Sequence, residues 1–116
     1  MKSLESESPE ADIKKNIQKG RDFRKKGNFD DAINSFENAL FFYKELQYDQ
    51  LLCEILYELG TLNALKGNNE KALNYFQKSA DVFKERKDFQ GLSLALGNLA
   101  SINYYKKSDF EKALEY

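Results

Sequence analysis

The chain has 116 residues, 41% of them hydrophobic, and its 18 basic side chains almost cancel its 19 acidic ones. That length can bury one modest core but not two, and near-neutrality leaves no broad basic field for nucleic acid or an anionic membrane, so neither partner is expected. Histidine is absent and Cys53 is the sole cysteine, which excludes an intramolecular disulfide, a thiolate metal cage and the commonest general base.

Helix-forming residues dominate, with Val82 the only valine and Thr61 the only threonine, so the fold class is all-α. Residues 1–8 read as a polar tail, too polar for the apolar part of a signal peptide. No run of about 18 apolar residues follows. With no N-x-Ser/Thr acceptor either, the setting is expected to be cytoplasmic.

Ser8-Pro9-Glu10 supplies a cap, a first-turn proline and an early acid, so a helix is expected from about residue 10 to 26. Gly27 can take the left-handed conformation behind it, and Asn28 can cap a partner helix at about 29–46. A second pair is expected at about 50–66 and 69–86 around Gly67-Asn68. The third is expected at about 89–106 and from 109 to the end, with a turn at Lys106–Asp109 and Ser108 and Glu111 as a capping box.

Sliding the sequence by about 40 residues lays Gly20 on Gly60, Gly27-Asn28 on Gly67-Asn68, Ala32 on Ala72, Phe36 on Phe76 and Lys44-Glu45 on Lys84-Glu85. A second slide lays Leu52 on Leu92, Leu56 on Leu96, Leu59 on Leu99, Gly60 on Ala100 and Asn63 on Asn103. A sustained period of this kind marks stacked repeats, here one helical hairpin each. Ala32, Ile33, Phe36, Ala39, Leu40 and Tyr43 share one helical face, answered by Ala72, Leu73, Phe76, Ser79, Ala80 and Phe83, and are read as core. Gly20, Gly60 and Gly97 fall inside helices at about 1 kcal/mol each against alanine, so the recurring pair, Gly20 and Gly60, is expected at close helix crossings.

A small residue in the first helix, a Gly-Asn turn, an aromatic, then Ala and Phe four apart in the second helix resemble the tetratricopeptide repeat. Gly20, Gly27, Phe29, Ala32, Phe36, Ala39 and Leu40 carry the match best. The resemblance covers nearly all of residues 13–116. It implies a right-handed superhelical stack of antiparallel hairpins over residues 9–116, about two and a half repeats, that works by holding another protein or a peptide. The family period is about 34, so these repeats are long; Asn16 and Lys19 stand at apolar family positions, and no proline closes a repeat. Repeats this long resemble those of kinesin light chains, polarity adaptors that bind G-protein regulatory peptides, and bacterial peptide-receptor regulators, all of them binders.

No residue set reads as catalytic. Asp30-Asp31 and Glu70 fall in first turns, where the helix macrodipole accounts for them. Gly27 and Gly67 are turn glycines without a phosphate-cradling run, and Lys19, Arg21, Arg24, Lys25 and Lys26 have the density of a solvated face. Cys53 reads as a small buried hydrophobe. No enzymatic activity, cofactor or metal is expected.

In a stack of this family the first helix of each pair lines the concave side. With Leu52, Leu56 and Leu59 as the packing stripe, the groove face of the second repeat is Glu54, Tyr57, Glu58, Thr61 and Leu65. Its counterparts are Lys14, Ile17, Gln18, Arg21, Arg24 and Lys25 in the first repeat, and Leu94, Gly97, Asn98, Ser101, Tyr104 and Tyr105 in the third. The groove is expected to grade from basic through acidic to tyrosine-rich, which suits an extended or helical peptide carrying both charge signs.

Tyr104 and Tyr105 have an alternative role in packing on the incomplete third repeat. Asn98 is the sharpest candidate: it precedes Leu99-Ala100 as the groove asparagine of long-repeat adaptors precedes Leu-Gly or Leu-Ala, and an amide can pair with peptide backbone. Gln18 and Glu58 at the equivalent positions interrupt any asparagine ladder. The clamp that grips acidic chaperone tails is not matched by Ile17, Arg21, Glu58, Leu94 and Asn98, so that partner is disfavoured.

With Tyr116 as its last residue, the final helix has about two turns, and the apolar face of residues 92–105 lacks its usual cover. Either the chain is a fragment of a longer array, or two copies cover each other's ends as a homodimer. Two functions stay open: a peptide-binding adaptor and a structural self-assembly module.

Overall fold

The computed structural model describes residues 8–43 and 49–115 and, towards the C-terminus, side chains as far as Tyr104. The described elements are α1 (Pro9–Lys25), α2 (Phe29–Tyr43), α3 (Asp49–Leu65), α4 (Asn69–Arg86) and α5 (Phe89–Glu115), an all-α arrangement. Each helix packs on the next in chain order. The radius of gyration is 16.1 Å, against about 13 Å for a compact globule of this length. The hairpins are therefore stacked in a row. No described helix is long and apolar enough to cross a membrane.

Local chemistry sets the helix ends. The Ala11 amide donates to Ser8 Oγ at 3.0 Å, and Pro9 and Glu10 follow as the expected first turn of α1. At the other end Gly27 has φ +81°, its amide donates to Arg24 O at 3.0 Å and that of Asn28 to Phe23 O at 2.9 Å. The same pair of bonds closes α3, where Gly67 has φ +83° and the Gly67 and Asn68 amides reach Ala64 O and Asn63 O. These are Schellman turns, which satisfy carbonyls the helix would otherwise leave unpaired. The Asn68 side chain, expected to cap α4, instead makes a 3.4 Å contact to Asn63 Oδ1, and only its backbone carbonyl starts the helix.

Between α4 and α5 the left-handed position is filled by Lys87, at φ 59°. Asp88 then caps α5, its Oδ1 accepting from the Gly91 amide at 3.0 Å. Every described connection thus has a left-handed residue at its start, glycine in two cases and lysine in one.

The core follows the repeat. Ile13, Ile17, Ala32, Phe36, Ala39, Ile55, Leu59 and Leu62 form one buried cluster across α1, α2 and α3, and Ala72, Phe76 and Ile102 form a second. Phe36 is wholly enclosed, a burial that contributes about 2–3 kcal/mol. A Cβ on Gly20 would stand 2.6 Å from the Phe36 ring, and one on Gly60 would stand 2.6 Å from Phe76. The recurring glycines thus let each aromatic ring lie flush against the preceding helix. Gly91 makes the same accommodation for Phe83, at 2.3 Å, a crossing that the repeat alignment does not flag. Cys53 is buried.

The third hairpin departs from expectation. Instead of turning at Lys106–Asp109, α5 continues unbroken for 27 residues, a length of about 40 Å. Lys107-Ser108 occupies the place of the two Gly-Asn turns. The permissive residue for a left-handed cap is missing, and Lys106, Lys107, Glu111, Lys112 and Ala113 all favour continued helix. The Ser108 and Glu111 side chains lie outside the described residues, as do Lys44-Glu45 and residues 1–7.

Candidate functional site

Along the line where α1 faces α3, the charges expected to grade the groove meet each other. Arg24 Nη1 donates to Glu58 Oε1 at 2.5 Å. One turn earlier Arg21 pairs with the Glu54 carboxylate. A third pair, Lys66 with Asp30, ties the end of α3 to the start of α2. Glu58 is therefore buried rather than presented, with 8% of its side chain exposed beneath Arg24. Ile17, expected on the same face, belongs to the core, because it lies four residues after Ile13 and three before Gly20 on the packing side of α1. Lys14 pairs with Glu10, and Gln18 donates to Asp22 at 3.0 Å. The charge gradient is largely consumed inside the stack.

One period further on, the positions of Arg21, Arg24, Glu54 and Glu58 carry Thr61, Ala64, Leu94 and Asn98. None can make an ion pair, and two are short. Where the first junction is filled by long charged side chains, the second opens a cleft of about 500 Å³ lined by Tyr57, Thr61, Ala64, Leu65, Asn69, Phe76, Asn98, Ser101 and Ile102. Tyr57 leans towards Phe76, with ring centroids 6.3 Å apart. Asn98 Nδ2 is wholly enclosed and has no hydrogen-bond partner among the described residues. Such an unmade bond costs about 1–3 kcal/mol, and a ligand that completes it recovers part of that.

A second cleft of about 400 Å³ adjoins the first and contains Glu54, Tyr57, Leu94, Ser79, Phe83 and Arg86 in its wall. Tyr57 belongs to both, standing between them. Of the residues expected in the groove, Tyr57, Thr61, Leu65, Asn98 and Ser101 come together in the first cleft, and Glu54 and Leu94 join Tyr57 in the second. Arg21 and Glu58 sit in the ion-pair line instead. Tyr104 is exposed and lines neither cleft, and the Tyr105 side chain lies outside the described residues.

Ala64, Asn69 and Ile102 complete the first cleft without having been singled out, together with Phe76, which was read only as core. Phe76 and Ile102 belong to the core and double as its wall. Ala64 carried a readable signal, the loss of the arginine present at its counterpart Arg24.

This architecture defines an α-solenoid of antiparallel hairpins with a cleft between the first helices of successive pairs. The family model described as tetratricopeptide repeat matches residues 14–85 and again 51–116. The chain belongs to the tetratricopeptide-repeat family, whose repeats mediate protein–protein interaction. No curated protein sequence matches it closely enough to be counted as a relative.

Proposed function

We propose that this chain is a protein–protein interaction module, an adaptor-like scaffold that holds a peptide segment of a partner protein in the cleft between α3 and α5. The observation that carries the reading is the unpartnered Asn98 amide inside a partly apolar cleft. An asparagine amide has donors at one end and an acceptor at the other, and a peptide bond complements both. Tyr57 adds apolar area with a polar tip at little entropic cost. The test is to select dodecapeptides from a random displayed library on the folded chain and to titrate them against wild type, Asn98→Ala and Tyr57→Ala. Affinity is expected to fall about tenfold or more in each variant; unchanged affinity in both removes the cleft from the binding site.

Self-assembly through α5 is a second reading, supported by one contrast. Leu56 is 2% exposed, whereas its repeat counterpart Leu96 is 50% exposed. A second copy or a further repeat would cover that face equally well. Sedimentation equilibrium across a concentration series separates them: a dimer that dissociates on Leu96→Glu substitution supports self-assembly, and a monomer at every concentration opposes it.

A further inference from the structure

We infer that the α3/α5 cleft selects an uncharged stretch of partner peptide, an apolar side chain flanked by peptide bonds, because the cleft is the emptied counterpart of an internal ion-pair site. The inference rests on the reading that this cleft holds a peptide. Its first support is the register: Arg24 and Glu58 fill the first junction, while Ala64 and Asn98 stand at the same positions of the second. The ligand takes the space the arginine side chain would have occupied.

The lining supplies the second support. Among the described residues, those around the cleft include no lysine, arginine, aspartate or glutamate. A charged ligand group entering there would lose its hydration and meet no counter-ion among the described residues, whereas an apolar group would be covered by Phe76, Ile102, Ala64 and Leu65. The third support concerns the surroundings: Arg21, Arg24, Glu54 and Glu58, the charges of the neighbouring groove, already neutralise one another across α1 and α3. Selectivity for a charged peptide, which the sequence suggested, has little left to act through. Asn98 supplies the directional contact, its enclosed amide meeting a peptide bond beside the buried side chain.

The experiment selects a displayed library of random dodecapeptides on the folded chain at about 50 mM and about 500 mM NaCl, conditions that separate screened from unscreened recognition. Recovered peptides are expected to share an apolar residue without an adjacent charge and to change affinity less than about threefold between the two salts. The double variant Ala64→Arg/Asn98→Glu rebuilds the ion pair at this junction; it is expected to fold and to bind the same peptides at least about tenfold more weakly. Should it not fold, Ala64→Met fills the cleft without charge and is expected to weaken binding likewise.

A shared charged residue, or an affinity that collapses at high salt, overturns the neutral selectivity and leaves the peptide-holding reading standing. Recovery of no peptide, or equal binding by the cleft-filling variants, overturns both.

Discussion

The Arg24 guanidinium of α1 donates to the Glu58 carboxylate of α3, and the acceptor is almost wholly removed from water. This pair is one of the ties between the first hairpin and the second, beside Arg21–Glu54, Lys66–Asp30 and the shared core. One period later its positions hold Ala64 and Asn98, and the contact is replaced by open space. A single pair of positions thus acts as internal glue at one junction and as cleft at the next. The exchange costs the stack one tie and leaves the enclosed Asn98 Nδ2 without a hydrogen-bond partner among the described residues.

Glu58→Lys places like charge against Arg24 in a buried setting. We expect a loss of about 2–3 kcal/mol, less than a wholly buried pair would cost because about a third of the Arg24 side chain remains in water. Urea denaturation of the variant beside wild type measures it. In a double-mutant cycle with Arg24→Met, a coupling energy near zero would show that the pair does not join the hairpins.

The helix glycines divide by what faces them. Gly60→Ala drives a methyl into the Phe76 ring and is expected to destabilise by about 1–3 kcal/mol. Gly97→Ala meets nothing within 4 Å and should stabilise by about 0.5–1 kcal/mol through a stiffer unfolded chain. Thermal melts of the two variants should move in opposite directions.

Lys87 holds a left-handed backbone at φ 59° that costs a non-glycine residue about 1 kcal/mol or more. Lys87→Gly relieves this at some entropic cost, for an expected net gain of about 0.5 kcal/mol. A lowered denaturation midpoint would mean that the lysine side chain stabilises the turn in another way.

Burial, helped by the Glu37 carboxylate, pushes the Tyr75 phenol above its usual value of 10.0. The folded state therefore favours the neutral form, and this contribution is present below the unfolded value and lost as pH rises through the folded one. Tyr75→Phe should flatten the decline of melting temperature with pH above about 10. Parallel declines in wild type and variant would show that Tyr75 takes no part.

The two Gly-Asn turns, the aromatic ridge and the flush contacts of Gly20 and Gly60 were readable because each is a local requirement repeated at a fixed period. Helical spacing also brought Tyr57, Thr61, Asn98 and Ser101 to one face, and they meet in one cleft. Pairing between helices was not readable: whether Arg24 faces solvent or Glu58 depends on how two hairpins stack, which no spacing within either helix encodes. Ile17 shows the same limit, since on α1 the groove and core faces adjoin. The missing turn at Lys107-Ser108 was hidden by the neighbouring repeat match, although the absent glycine marked it.

A partner peptide held in the α3/α5 cleft is expected to complete the hydrogen bonding of the Asn98 amide. The most direct measurement of this follows the assigned side-chain NH₂ resonances of Asn98 by two-dimensional ¹H–¹⁵N NMR while a library-selected peptide is titrated in. Both resonances are expected to shift and to show intermolecular NOEs to the peptide, together with the backbone amides of Tyr57 and Thr61. Saturating peptide that leaves Asn98 unmoved while shifting residues of α1 or α2 would contradict it.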